Sequence, residues 1–213
     1  GASIHSGTGR KILAYAVDRA ATAFYVYQQA YDANGKPIEG AVVDRNHDGI
    51  INDDDRYFYK QAAPPVTMGL ASRLEYKNWD LGMSFRASIG NYVYNDVEAS
   101  RSDMSQLWTG GFLEQRPLSA RQLNWQTSDW TQSDYFVRNA SFLRCDNITL
   151  GYSFNNLMKA GSWHGLSGRV YATASNVFTI TKYKGLDPEV FSGLDYELYP
   201  RPTSFILGLS LNF

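Results

Sequence analysis

Hydrophobic and polar residues alternate with period two along several stretches of this chain, most sharply at its end. Residues 204–213 read S-F-I-L-G-L-S-L-N-F. In an extended strand Phe205, Leu207, Leu209, Leu211 and Phe213 share one face, while Ser204, Gly208, Ser210 and Asn212 share the other; Ile206 is the single break. An exposed edge this apolar invites aggregation in water. A strand of an outer-membrane barrel needs it, with the apolar side to lipid and the polar side to the lumen.

The same period recurs upstream. Trp79, Leu81, Met83, Phe85, Ala87 and Ile89 alternate with Asp80, Gly82, Ser84, Arg86, Ser88 and Gly90. Val66, Met68, Leu70, Leu74 and Tyr76 alternate with Thr67, Gly69, Ala71, Arg73, Glu75 and Lys77, with Ser72 as the lapse. The two runs meet at Lys77-Asn78, which predicts a tight hairpin. Ile148, Leu150, Tyr152 and Phe154 oppose Asn147, Thr149, Gly151 and Ser153. Residues 169–181 alternate more weakly, 24–31 predict a strand, and 11–18 a less regular one.

Connections are unequal. The Lys77-Asn78 turn is short and residues 155–166 are moderate, whereas 32–65, 91–140 and 182–202 are long. Bacterial barrels pair short periplasmic turns with long outer loops in this way. Tyr76, Trp79, Tyr152, Phe154 and Phe213 are expected at the periplasmic boundary, and Tyr92, Tyr94 and Tyr183 at the outer one, where amphipathic rings suit a membrane interface. Alternating strands also build soluble sandwiches. Long loops count against a compact soluble domain, and Arg73, Glu75, Asp80 and Arg86 on the polar side suit a wet interior better than a dry core.

The pattern contains six or seven membrane-length runs. Single-chain bacterial barrels have at least about eight strands, and open edges are not tolerated in lipid. The fold expected is therefore an all-β, antiparallel segment of a larger transmembrane barrel, its carboxyl-terminal wall, with long extracellular loops. Composition agrees. The 213 residues carry a net charge of -1, which argues against a nucleic-acid partner, and include 15 Tyr, 11 Phe and 5 Trp. No apolar run reaches the roughly 20 residues of a membrane helix. The one cysteine, Cys145, has no internal disulfide partner and falls with the lumen-side set.

One motif carries sharp chemistry. Residues 44–55 read D-R-N-H-D-G-I-I-N-D-D-D. Asp44, Asn46 and Asp48 occupy positions one, three and five of a calcium loop, Gly49 the sharp turn at six, Ile50 the carbonyl position at seven, Asn52 position nine and Asp55 position twelve. Alternate hard oxygen ligands curl around one cation. Asp in place of Glu at position twelve has a shorter reach, which leaves magnesium as an alternative to calcium. The expected role is structural, since no nucleophile or base accompanies the motif. An acidic, metal-free turn is the plainer reading.

Other candidates are weaker. His5, His47 and His164 are scattered, and His47 sits at a non-ligand position of the loop. Trp108, Trp125 and Trp130, with Tyr135 and Phe136, either stack on sugars or pack the long loop, and packing is favoured. Asp187 and Glu189 read as turn-capping or Arg-pairing carboxylates. Nothing points to an enzyme.

The chain resembles the carboxyl-terminal part of SusC/RagA-type TonB-dependent outer-membrane transporters of Bacteroidetes. The resemblance covers the whole length. It rests on F-Y-V-Y at 24–27, the loop at 44–56, Y-K-N-W-D-L at 76–81, S-I-G-N-Y-V-Y-N-D at 88–96, Y-F-V-R-N-A-S-F-L-R at 135–144, N-I-T-L-G-Y at 147–152, A-S-N-V-F-T-I-T-K-Y-K-G-L-D-P-E at 174–189, Y-P-R-P at 199–202 and the terminal strand. It implies a plugged barrel of about 22 strands, capped by a SusD-like lipoprotein and energised by the TonB system through an amino-terminal plug and TonB box. The chain shows no such plug or box and reads as a piece of that protein. Its partners would be the rest of the barrel and plug, the lipoprotein, TonB and lipid. The expected activity is uptake of glycans or peptides. The competing reading is a secreted calcium-binding, glycan-binding β-module, which accounts for the loop and the tryptophans but not for the terminal strand.

Overall fold

A computed structural model describes residues 3–5, 11–127, 129–155, 166–196 and 199–212. Phe213, His164 and most of the 155–166 connection lie outside them, as does the side chain of His5. The chain divides into two compact units, one drawn from Gly1–Pro65, Gly90–Ser141 and Lys182–Tyr199 and the other from Val66–Ile89, Phe142–Thr181 and Pro200–Phe213.

The second unit is one antiparallel sheet. Its strands are β1 (Val66–Tyr76), β2 (Trp79–Ile89), β3 (Phe142–Phe154), β4 (Ser167–Thr181) and β5 (Ser204–Asn212), in the order β5-β4-β3-β2-β1. Lys77 turns the first hairpin with a left-handed backbone, φ 54°. Register follows the alternation: Leu74 faces Leu81, which faces Leu150, and Val170 faces Leu209. The apolar residues form one continuous face, and they are not covered. Phe205 is 81% exposed and Leu207 84%. Such a face is stable only in an apolar solvent. At one end Tyr76 pairs with Trp79 and Trp79 with Tyr152, the last two rings 4.8 Å apart, as expected of an interfacial aromatic belt.

The ladder slips once. One rung joins Ser84, Asn147 and Ser175, and the next joins Phe85, Cys145 and Phe178. From one rung to the next β2 advances one residue, β3 two and β4 three, so Asp146 bulges out of β3. The bulge reverses the parity of β3. Cys145 therefore lies in register with Phe85 and Phe178 of the apolar face, not with the lumen-side set, and it is fully buried. A bulge is set by backbone geometry and leaves no mark in a period-two pattern.

The first unit is built from the segments expected to be long loops and the two weaker runs. Lys11–Ala14, Ala23–Val26 and Tyr57–Gln61 belong to one sheet; Gln29–Tyr31 pairs with Pro37–Val42; Val137–Asn139 and Leu194–Asp195 flank Tyr92–Asn95. Two short helices, Asp96–Ser100 and Leu118–Leu123, complete it. Ile12, Phe24, Val26, Tyr94, Trp125 and Phe136 are among its core residues. The loops are thus packed rather than structureless. Tyr94 and Tyr183 are core residues here, fully buried and 7% exposed, rather than members of an outer interfacial belt. Strands of two to six residues are too short for alternation to announce them. Among the described residues no helix is long and apolar enough to cross a membrane.

Candidate functional site

The polar face of the sheet carries fixed charges. Arg169 on β4 donates from Nε to Asp80 Oδ1 at 2.9 Å and from Nη2 to Oδ2 at 2.5 Å. The pair reaches from β2 to β4 and passes over Gly151 of the intervening β3, where a Cβ would lie 2.5 Å from both Arg169 Nη2 and Asp80 Oδ1. The Arg169 guanidinium also sits 5.0 Å from the centroid of Tyr171. That ring in turn covers Gly208 on β5, where a Cβ would meet it at 2.1 Å. A carboxylate, a guanidinium and a ring are thereby stacked across four strands, and two glycines make the room.

Farther along this face Arg86 on β2 is directly opposite Arg144 on β3. The bulged Asp146 accepts from Arg86 Nε at 2.9 Å, placing an anion beside two cations. Arg144 donates to Thr179 Oγ1 at 3.0 Å, and the Thr149 and Thr173 hydroxyls are 2.8 Å apart. Arg73 pairs with Glu75 at 2.8 Å on the same strand. The expected polar wall residues Arg73, Arg86 and Thr149 are therefore on this face, as is Asn147, opposite Ser84 and Ser175. Asp146 and Arg169 were not expected here. Nothing in the alternation predicts which charges meet diagonally across strands.

The acidic loop of the first unit folds on itself. Asp44 Oδ1 accepts from the His47 amide at 2.7 Å and Oδ2 from the Gly49 amide at 2.8 Å. Asn46 Oδ1 accepts from the Asp48 amide at 3.0 Å, and Asp48 Oδ1 from the Ile50 amide at 2.8 Å. Asn52 caps the short 3-10 helix Asp53–Asp55 by accepting from the Asp54 amide. Gly49 turns with φ 81° and His47 with φ 62°.

Asp55 plays a different part from the others. It is fully buried, and its carboxylate accepts the amides of Arg45 at 2.8 Å and Asn52 at 2.9 Å. The Asn52 amide first, then those of Arg45 and Asn46, hold its carboxyl below the usual carboxylate range against the opposing effect of burial. Asp44 is half-buried and Asp48 and Ile50 are exposed. The loop thus turns its side-chain oxygens onto its own amides, with position twelve serving as an internal clasp. Among the described residues, no three His, Cys, Asp or Glu side chains converge as a metal set.

The remaining candidates separate. Trp125 is buried against Tyr135 and Phe136, and Trp130 packs edge-on to Tyr27 at 5.0 Å, whereas Trp108 is 67% exposed. Asp187 Oδ1 accepts the Glu189 amide at 2.8 Å, the turn-capping role expected of it. Asp195, missed in the sequence, is buried with Tyr183, whose hydroxyl donates to its Oδ2 at 2.6 Å.

No protein-family model matches the chain. Among characterised proteins, it is 51% identical over 215 residues to the TonB-dependent receptor SusC of Bacteroides thetaiotaomicron, an alignment covering 100% of this chain and 21% of that protein. The TonB-dependent receptor P3 of Formosa agariphila is 27% identical, over 80% of this chain and 18% of its own length. A solved structure of the RagAB peptide transporter superposes with a TM-score of 0.62 at 24% identity, over 90% of this chain and 23% of the other. The same importer in its open-open state gives 0.67 at 23% identity, over 93% and 24%. The chain spans about a fifth of the length of the relatives it matches. An uncovered apolar face backed by ion pairs is what one stretch of a transmembrane barrel requires, and with 51% of residues shared along its whole length the chain belongs to the SusC/RagA-type TonB-dependent receptors of the bacterial outer membrane.

Proposed function

We propose that this chain serves as part of an outer-membrane importer that takes up glycans or peptides with a SusD-like surface lipoprotein, driven by the TonB system through other parts of the same polypeptide. The observation that carries this reading is the two-sided sheet. Its apolar face is uncovered across all five strands, while its opposite face holds Asp80–Arg169 and Arg86–Asp146 as charged pairs. Lipid solvates the first face, and the second lines a wet passage. The reading is of passage rather than of catalysis, in keeping with relatives that are receptors. A free-standing secreted module is disfavoured, because it would leave the apolar face in water.

The test is uptake by cells carrying the full-length receptor. Leu207→Arg, on the lipid side, should abolish outer-membrane assembly and uptake together, while Ser84→Arg, on the passage side, should preserve assembly. Equal tolerance of both would overturn the reading.

We also propose that the loop of Asp44, Asn46, Asp48, Ile50, Asn52 and Asp55 takes a structural calcium ion, or magnesium. The spacing supports it, and so do the paired Asx turns and the exposed Asp48 carboxylate. A bound cation would hold the loop with charge that the backbone amides alone do not neutralise.

A further inference from the structure

The first unit contains a concavity of about 440 Å³, within the size range of roughly 300–1,000 Å³ typical of small-ligand sites. Phe58, Tyr59 and Tyr92 supply aromatic wall, and Arg19, Lys60 and Gln61 supply polar groups beside it. Its rim is sterically set. Gly90 has φ 80°, and a Cβ there would meet the Pro65 ring at 2.8 Å, so glycine lets the chain close against Pro65.

The two cations are held in place by rings. Lys60 Nζ is 5.4 Å from the centroids of both Tyr59 and Tyr92, and the Arg19 guanidinium is 5.4 Å from Phe58. Neither forms an ion pair among the described residues. Two positioned cations that form no ion pair among the described residues, beside flat apolar rings, match a ligand with a C–H face and an anionic group. Asp18, also on the wall, disfavours a polyphosphate and can accept from hydroxyl groups. Rings, a hydroxyl acceptor and cations together describe a carboxylated sugar.

We propose that this concavity is a recognition subsite for a saccharide unit carrying a carboxylate, of the uronic-acid class. The proposal rests on the transport reading and narrows its substrate. The sugar's C–H face stacks on Tyr92 and Tyr59, its carboxylate meets Lys60 and Arg19, and its hydroxyls donate to Asp18.

The test uses the purified full-length receptor with its lipoprotein and isothermal titration with trigalacturonate, maltotriose and an acidic tripeptide. Trigalacturonate should bind. Lys60→Gln should weaken it by about tenfold, the loss expected for one charge-assisted contact, and Tyr92→Ala should weaken it at least as much. Heat-modified electrophoretic mobility checks that both variants remain folded. Maltotriose binding as tightly as the uronate, the peptide binding in its place, or unchanged affinity in both folded variants would each overturn the subsite. Uptake by cells is scored separately. Import that persists with no uronate binding would leave the transport reading standing, whereas uronate binding by a receptor that imports nothing would overturn that reading alone.

Discussion

Arg169 and Asp80 meet through two hydrogen bonds of 2.5 and 2.9 Å although the strand between them belongs to neither. Their contact exists because Gly151, on that strand, offers no side chain. Gly151→Val should therefore break an ion pair it takes no part in. Off-rotamer displacement of this kind costs about 1–3 kcal/mol. Urea titration of the refolded full-length barrel should show the loss, and Gly151→Val combined with Asp80→Asn should lose less than the sum of the two single changes.

The neighbouring stack gives a sharper test. A methyl at Gly208 falls 2.1 Å from the Tyr171 ring. Gly208→Ala should destabilise the barrel by about 1–3 kcal/mol, and Tyr171→Ala in the same chain should recover much of it. Failure of the second change to rescue the first would show that the ring does not lie over that glycine.

The acidic loop separates two roles that its spacing alone merges. Asp48→Ala removes an exposed carboxylate and should abolish any calcium response, read as protection of the loop from proteolysis with and without chelator, while lowering metal-free protection less than Asp55→Ala does, since the Ile50 amide it frees is exposed to water. Asp55→Ala leaves the Arg45 and Asn52 amides without their acceptor and should accelerate cleavage whether or not calcium is present. Magnesium in place of calcium distinguishes the two ions.

Acid should tighten the segment around Asp195. Burial raises the Asp195 carboxyl above its ordinary value of 3.8, against the hydrogen bond from Tyr183. A carboxyl raised on folding favours the native state while protonated, and that contribution is lost as pH rises through its elevated value. Proteolysis of the segment 182–196 should thus slow as pH falls from neutrality toward 3.8. Asp195→Asn keeps an oxygen for Tyr183 and should remove this dependence.

The sheet was legible in the sequence because each of its long strands has one lipid-facing and one wet side. Solvent polarity alone therefore wrote alternation into Val66–Tyr76, Trp79–Ile89 and the terminal strand. The first unit was not legible, since its strands are short and its core takes residues from distant segments, such as Ile12, Tyr94 and Trp125. Of the candidate sites, the loop was visible because its Asp, Asn and Gly residues recur at fixed spacing within one short stretch of chain. The Asp80–Arg169 bridge was invisible because its spacing is set across strands rather than along one.

The rung that widens from one step on β2 to three on β4 has a mechanical meaning. Strands that use unequal lengths of chain to climb the same height cannot stay flat, and bulges increase local twist. Asp146 is therefore a wedge in the masonry, the point at which this stretch of wall turns to follow the circumference of its cylinder. Deleting it should flatten the curve while leaving Cys145 and Leu143 opposite Phe85 and Ala87, and a spin-label accessibility scan along β3 would then show one unbroken period-two phase in place of the slip now seen at that residue.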